Sequence, residues 1–170
     1  MKKRRFIHHL LAERDQFELL LNRLGFSHLT TMAGVTGQWS VKDIIAHIMS
    51  YEQFAADRIA GVINGETYSP ASTPAKLEKF IDRYGYPDFG SSLQKDEVSN
   101  AWIVEKYRNT PLEDIVAHEI QAFGSIISGL EVLTENQIIQ YNLFQLVAEN
   151  TYEHYQEHIQ DIYRWLASIT

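Results

Sequence analysis

Residues 143–168, LFQLVAENTYEHYQEHIQDIYRWLAS, are the stretch that decides the fold. Apolar and small side chains recur in it every three or four residues, which predicts a final helix from about Leu143 to Ser168 with one face turned inward. The predicted inward face comprises Val147, Thr151, His154, His158, Ile162 and Trp165. Two histidines, one helical turn apart, therefore replace core hydrophobes on that face.

A second segment, WSVKDIIAHI at residues 39–48, predicts another helix with a histidine on its inward face. Ser40 is a suitable N-cap and Asp43 stands at the reciprocal capping position, so the helix should begin after Ser40 and run to about Gly61. Its predicted inward face comprises Ile44, His47, Ile48, Tyr51 and Ala55. His47 is thus a third histidine that we expect in the interior.

The rest of the chain adds further helices and no strand pattern. Apolar spacing predicts a first helix from Phe6 to Leu24, which ends at Gly25. A further helix should start near Asp96, break at residues 109–111 with Thr110 as a new N-cap, and continue to about Leu133. Residues 134–140 are then expected to be the last connection.

Residues 62–95 lose helical periodicity and contain several glycines and prolines. Only Pro74–Tyr84 is predicted to form a short helix there. A connection of this length often forms a lid or a pocket wall, but a plain crossover between parallel helices would also need it, and both interpretations stay open. Four main helices and one long crossover predict an all-α bundle in a single domain over residues 1–170.

Composition excludes several classes of partner. The 170 residues carry a formal net charge of -7, which opposes binding to nucleic acid and to anionic lipid. No apolar run approaches the roughly 18 residues that span a bilayer, and we expect a cytoplasmic protein without a membrane partner. The chain contains no cysteine, so any metal must be held by histidine, carboxylate and water.

The three histidines predict a metal centre. A pair of imidazoles at i and i+4 leaves room for a third ligand from a neighbouring helix, and His47 can supply it to His154 and His158. Three nitrogens plus water would leave one coordination position open, as in catalytic sites. The alternative is that each histidine is a partly buried polar residue satisfied by hydrogen bonds, and both interpretations stay open at this point.

Several polar residues lie one turn from these histidines. Tyr51 can supply a proton or a hydrogen bond near a metal, and Asn150, one turn before His154, can orient a ligand; we treat both as candidate catalytic residues. Asp43 and Asp161 can support His47 and His158 from behind. Each also has a purely structural interpretation, as a packing residue, a helix cap or a solvated charge.

These two segments together resemble the DinB-like four-helix superfamily, and within it the ClbS/DfsB-type proteins. The order of elements is similar along nearly the whole chain, including the long crossover and the stretch AWIVEKYRNTPLEDI at 101–115. The resemblance implies a four-helix bundle, often dimeric, that holds Zn or Ni through one histidine of the second helix and two of the fourth. Those positions match His47, His154 and His158.

The resemblance also implies two kinds of activity. Members of the superfamily include metal-dependent transferases and isomerases that use low-molecular-weight thiols, whereas the ClbS branch hydrolyses a genotoxic small molecule. The first hypothesis is therefore a hydrolase or thiol transferase that binds a divalent transition metal, Zn or Ni, and acts on small electrophiles. The alternative is a non-catalytic or metal-free self-protection protein that binds a genotoxic small molecule.

Aromatic residues on the first and last helices suggest a homodimer, which is compatible with either function. The expected contact comprises Phe17, Tyr152, Tyr163 and Trp165.

Overall fold

The helices predicted from apolar spacing are present in the computed structural model, which describes residues 2–170. The prediction of an all-α protein is confirmed, since the described residues form helices and no strand, apart from one isolated bridge between Thr36 and Trp39. The helices are α1 (Lys2–Leu24), α2 (Val41–Ile63), α3 (Pro74–Tyr84), α4 (Asp96–Tyr107), α5 (Leu112–Val132), α6 (Glu135–Gln140), α7 (Leu143–Asn150) and α8 (Tyr152–Ile169), with a short 3-10 turn at His28–Thr31.

Two predicted helix boundaries are confirmed by their chemistry. α1 ends at Leu24 and is followed by Gly25, whose φ of 61° is a left-handed conformation that glycine adopts without a steric penalty. α2 begins with the predicted capping box: the Asp43 amide donates to the Ser40 hydroxyl at 3.1 Å, and the Ser40 amide donates to the Asp43 carboxylate at 2.9 Å. The start of the histidine-bearing helix α2 is therefore fixed locally.

The prediction of one continuous final helix is wrong. Thr151 has φ -128° and ψ -100°, which is not helical, and it separates α7 from α8. The Thr151 hydroxyl is buried and donates to the carbonyl of Val147 at 2.6 Å. A threonine that bonds back to the preceding turn offers the backbone an alternative to continued helix, and apolar spacing does not report such a local competition.

Two smaller predictions in the second half are also wrong. Residues 134–140 were expected to be a connection but contain α6, whose start is fixed by a capping box between Thr134 and Gln137. α6 has only six residues and buries a single side chain, Ile138, so it has no helical periodicity to detect. The break before α5 is present, but the cap position belongs to Pro111 and not to Thr110, and no side chain in the described chain caps it.

α2 is the central helix, and it packs on α4, α5, α7 and α8, while α1 packs mainly on α8. The approach of α5 to α2 depends on Gly129, because a Cβ atom there would overlap the side chain of Ile59. Fourteen residues of α2 are buried, among them His47, Glu52 and Arg58. Polar groups on this helix must therefore find partners inside the protein.

A buried network of charged and hydroxyl groups joins the four longest helices of the described chain, α1, α2, α5 and α8. Arg14 of α1 makes a two-point ion pair with Glu119 of α5, and one of its two bonds, from Nη2 to Oε2, measures 2.6 Å. The hydroxyl of Tyr155 on α8 accepts from Arg14 at 3.1 Å and donates to Glu52 of α2 at 2.5 Å. Phe17 stacks on the Tyr155 ring at a centroid distance of 4.6 Å. Each of the four helices thus contributes one polar side chain to a single core cluster.

The charges of this network balance inside the core. Burial raises the pKa of Glu52 well above its usual range, and the nearby Glu119 carboxylate adds to the effect. Burial and Glu119 thus favour the protonated form of Glu52, and the two-point partner of the Arg14 cation is Glu119. A buried ion pair is not a large net source of stability, but removing one partner leaves an uncompensated buried charge.

The long crossover packs against α2 through aromatic side chains. Phe54 of α2 lies within 6.5 Å, ring centroid to centroid, of Tyr68, Phe80, Tyr86 and Phe89. Asp88 is fully buried and holds the crossover by accepting from the Tyr68 hydroxyl at 2.5 Å and the Ala71 amide at 2.8 Å. This segment is more than a plain crossover, because its side chains line two cavities of the protein.

Two of the four residues expected at a dimer contact are not available for one. Phe17 and Trp165 are buried in the core of the single chain, so these two assignments are wrong. Tyr163 is exposed and Tyr152 is half-buried. The homodimer itself stays a prediction. Over residues 2–170, no helix combines the length and apolar character that crossing a bilayer requires.

Replacing Arg14 with methionine should destabilise the fold strongly. Methionine fills much of the same space, but Glu119 becomes a buried anion without its cation, and we expect a loss of about 3 to 5 kcal/mol in the free energy of unfolding. Denaturant unfolding monitored by circular dichroism measures it. The matched control is Arg23→Met at an exposed position of the same helix, which should change stability by less than about 0.5 kcal/mol. Equal losses in the two variants would contradict the role assigned to Arg14.

Candidate metal centre

The three predicted histidines meet between α2 and α8. The Nε2 atoms of His47 and His154 lie 2.6 Å apart. The ring centroid of His47 is 4.5 Å from that of His154 and 5.2 Å from that of His158, and the latter two are 4.9 Å apart. One potential ligand atom from each residue lies within 4.8 Å of the other two. The structure therefore forms the cluster that the sequence predicts.

The local folding of each helix explains this convergence. His154 and His158 are one turn apart on α8, so their side chains project from the same face. His47 lies on α2, the helix that α8 packs against. His47 and His158 are 6% and 5% exposed, and His154 is half-buried. The cluster is thus largely removed from solvent.

All three imidazoles are held in the neutral form. Burial, with the neighbouring His154 and His158 adding to the effect, lowers the pKa of His47 to about 2. Burial also lowers the pKa of His154 to about 3, with His158 adding to the effect. The pKa of His158 is lowered by burial as well, against the opposing carboxylates of Glu157 and Asp161. Neutral imidazole is the form that coordinates a metal ion.

The donor set fits a divalent transition ion. Among the described residues, the Nδ1 atoms of all three histidines are buried and have no hydrogen-bond partner. The Nε2 atoms of His47 and His154 face each other, so an ion held there leaves their Nδ1 atoms to partners behind the rings. Nitrogen ligands of a tetrahedral ion stand about 3.3 Å apart for metal–nitrogen distances near 2.0 Å. This separation lies between the 2.6 Å of the His47 and His154 Nε2 atoms and the 4.8 Å within which all three ligand atoms lie.

Two side chains stand behind the histidines and can orient them. The Asp161 carboxylate lies 3.4 Å from His158 Nδ1, as expected from its spacing in the sequence. Asn100 of α4 lies beside His47 and favours its charged form against the effect of burial on the pKa. Its Oδ1 atom is buried without a hydrogen-bond partner among residues 2–170. Such partners fix the ring orientation of metal-binding histidines in general.

The cluster lies in the wall of a cavity of about 750 Å³. Aromatic rings form part of the wall: Trp39, Tyr51, Phe54, Tyr68 and Phe89. Four carboxylates also line it: Asp96, Glu149, Glu157 and Asp161. No lysine or arginine is found among the described residues of this lining. The cavity therefore offers an apolar wall and a negative field to whatever enters it.

Tyr51 lies beside the histidines, as its position one turn after His47 predicts. Its ring is 4.8 Å from that of His47 and 4.9 Å from that of His154, and it stacks on Phe89 at 3.8 Å. Burial raises the pKa of Tyr51 to about 12, and Asp96 adds to the effect. The hydroxyl thus stays protonated at neutral pH, so it can donate a hydrogen bond but is a poor base.

Asn150 and Asp43 are placed differently by the structure. Asn150 is buried at the end of α7 and lines the cavity, but its amide nitrogen donates to the Leu146 carbonyl at 2.7 Å. Its oxygen and its second N–H group remain for a role near the histidines. Asp43 completes the Ser40 capping box, which is the structural interpretation of that residue.

Three further residues line the site although the sequence does not predict them there: Asn100, Asp96 and Phe89. They lie on α4 and the crossover, where no metal-ligand spacing or apolar stripe distinguishes them. The remaining histidines lie elsewhere. His8, His9 and His28 are exposed, and His118 lines a separate cavity of about 250 Å³ beside Lys106.

Comparisons of the chain with protein-family models, with curated proteins and with solved structures found no match.

The metal-free protein should lose stability as the pH falls below about 6.5, the ordinary pKa of an exposed histidine. In that range the unfolded chain takes up protons on its histidines, whereas the folded cluster stays neutral because its pKa values are lowered. His47 and His154 each contribute up to about 1.4 kcal/mol per pH unit, and the lowered pKa of His158 acts in the same direction. Denaturant unfolding in the presence of a chelator, from about pH 7.5 to about pH 5.5, measures the dependence.

Two comparisons isolate the histidine contribution. Glu52 acts in the opposite direction, since its raised pKa favours the folded state at low pH, but it is present in every variant. The variant His47→Gln should therefore show a shallower slope than the wild type, whereas His28→Gln, at an exposed site, should not. Identical slopes for all three proteins would show that the cluster does not resist protonation.

Proposed function

We propose that this chain is a metal-dependent protein of the DinB-like superfamily, closest to its ClbS/DfsB branch, and that it acts on small electrophiles. In this proposal His47, His154 and His158 bind a divalent transition metal, Zn or Ni. The reaction class is hydrolysis or the transfer of a low-molecular-weight thiol. The observation that carries the proposal is the convergence of three neutral, buried imidazoles on an open cavity.

The order of helices supports the family proposal. α2 carries the first histidine, a long crossover follows, and α8 carries the pair, as the resemblance of the two motifs implies. The all-α architecture and the capped start of α2 are consistent with that resemblance. The proposal of a catalytic metal site does not depend on the resemblance, because three nitrogen donors with space beside them are the donor set of a catalytic site.

A bound divalent ion supplies Lewis acidity, which lowers the pKa of a water molecule or a thiol. The protein residues would do the rest. Asp161 and Asn100 would hold the His158 and His47 rings in orientation. The Tyr51 hydroxyl, protonated at neutral pH, would donate a hydrogen bond to a developing negative charge on the substrate. Trp39 and Phe89 would exclude water from one side of the reacting group.

Metal content is the direct test of the site. Untagged protein purified without added metal should contain close to one equivalent of Zn or Ni by mass spectrometry, and His154→Ala should lose it. The exposed His28→Ala variant is the matched control and should retain the metal. Wild-type protein that stays metal-free after incubation with Zn or Ni would overturn the metal assignment.

Thermal melting provides a second readout of the same site. An ion that binds only the folded state raises the melting temperature, by an amount that grows with the logarithm of its concentration. We expect Zn or Ni to raise the midpoint of the wild type and of His28→Ala, and a chelator to reverse the shift. An equal shift in His154→Ala would place the ion elsewhere on the protein.

Activity should depend on Tyr51. Screening with an aryl halide plus a low-molecular-weight thiol tests transfer, and an activated ester or epoxide tests hydrolysis. In whichever assay is positive, Tyr51→Phe should retain the metal and lower the rate by about a hundredfold, since it loses one hydrogen-bond donor to the transition state. Tyr163→Phe, at an exposed tyrosine of α8, should match the wild type. An unchanged rate in Tyr51→Phe would remove this residue from the mechanism.

The aromatic wall of the cavity favours one alternative, a metal-free protein that binds a genotoxic small molecule without transforming it. Stacking residues such as Trp39, Tyr51 and Phe89 suit a planar ligand. Under this alternative the protein contains no metal, and alanine at His154 changes stability but not metal content. The metal measurement above therefore separates the two functions.

A further inference from the structure

A second cavity, of about 770 Å³, lies next to the histidine cavity. It is formed by α2, the crossover with α3, and the start of α7. Tyr68, Leu146 and Glu149 line both cavities, so the two are neighbours that share one wall. The proposed function gives this second cavity no role.

Arg58 is the unusual residue of the second cavity. It is only 6% exposed, and its guanidinium carbon lies over four aromatic rings at 4.4 to 5.1 Å from their centroids. These rings belong to Phe54, Tyr68, Phe80 and Tyr84. Aromatic faces stabilise a cation, but they do not accept hydrogen bonds from its five N–H groups in the way that a carboxylate does.

The guanidinium has no ion pair with any carboxylate in the described chain. Its Nη1 atom is buried and lacks a hydrogen-bond partner among residues 2–170. This differs sharply from Arg14, the other buried arginine, which pairs with Glu119 at two points. A buried cation without these partners lowers the stability of the folded protein unless an anion binds to it.

The acidic residues around Arg58 are already engaged with other groups. Asp57 accepts from the Tyr86 hydroxyl at 2.5 Å and from Gln53 at 3.0 Å. Glu66 lies 3.4 Å from Arg83, and Glu149 accepts from Gln145 at 2.7 Å. The nearby carboxylates therefore have other partners, and Arg58, which lines the cavity, has none of them.

We propose that the cavity around Arg58 binds the anionic group of a small organic molecule, a carboxylate or a phosphate attached to an aromatic or apolar body. A planar guanidinium forms two parallel hydrogen bonds with either group. The aromatic and apolar parts of the lining, such as Phe80 and Leu143, suit the body of the ligand. That this ligand is the substrate of the histidine centre rests on the proposed function; the anion site does not.

The probes are phenyl phosphate and benzoate, titrated into the metal-free protein by calorimetry, with benzyl alcohol and benzylamine as the neutral and cationic analogues. We expect saturable binding of at least one anion and none of the two analogues. Arg58→Met should weaken anion binding by at least about tenfold, since it removes both charge-assisted hydrogen bonds. Arg58→Lys, which keeps the charge but not the two-point geometry, should fall between Arg58→Met and the wild type.

Arg23→Gln is the matched control, because Arg23 is exposed and lies outside the lining of this cavity. The affinity of this variant for the anion should be within about twofold of that of the wild type. Equal affinity in Arg58→Met and the wild type, or no saturable binding of either anion, would overturn the proposal. If Arg58→Met does not fold, NMR of the isotope-labelled wild type replaces it. The side-chain signal of Arg58 is assigned by its absence in Arg58→Lys, and it must shift when the protein is saturated with the anion.

His154→Ala separates this inference from the proposed function. The variant removes a proposed metal ligand and leaves the Arg58 cavity lining intact. We expect it to bind the anion as the wild type does, whatever its metal content. Anion binding that disappears in His154→Ala would assign the anion to the histidine centre and overturn the Arg58 site. A wild type that takes up no Zn or Ni when these are added, yet binds the anion, would overturn only the metal proposal.

Discussion

The ion pair between Arg14 and Glu119 is the interaction on which the rest of the structure depends. A cation in a helical core must contact its partners at short range, so the ion pair fixes how α1 and α5 are rotated about their own axes. Through Tyr155 and Glu52 the same network fixes the rotation of α8 and α2. Tyr155 directly follows His154, and Glu52 directly follows Tyr51. Adjacent helical residues point about 100° apart, so the network that faces the core also turns the histidine helices toward the cavity.

Much of this arrangement could be predicted from sequence, for identifiable reasons. The Ser40 cap and the spacing of the three histidines are local patterns, and both predictions are confirmed by the structure. Arg14 and its partners were missed because charged residues are expected at the surface. The signal was present: Arg14 follows Leu10 by four residues and precedes Phe17 by three, so it lies within an apolar stripe. Glu52 and Glu119 have similar settings.

Other features had no signal in the spacing of residues. The interruption at Thr151 depends on one buried hydroxyl that bonds to the preceding turn, and the same residue type is found in continuous helices elsewhere. Asn100 and Phe89 reach the site through tertiary packing of α4 and the crossover, which lie far from the histidines in sequence. A pattern within one helix identifies the residues that it projects inward, but not the residues that other elements bring to meet them.

The crossover explains how one face of α2 serves two cavities. Phe54 lies between them: its ring contacts Phe89, which stacks on Tyr51 beside the histidines, and also Phe80, which packs over Arg58. The histidine cavity is lined by carboxylates and imidazoles, whereas the other contains the unpaired guanidinium. Because the same aromatic cluster holds both walls, a displacement of the crossover from α2 would alter both cavities together. The length of residues 62–95 is thus accounted for by the packing that it supplies.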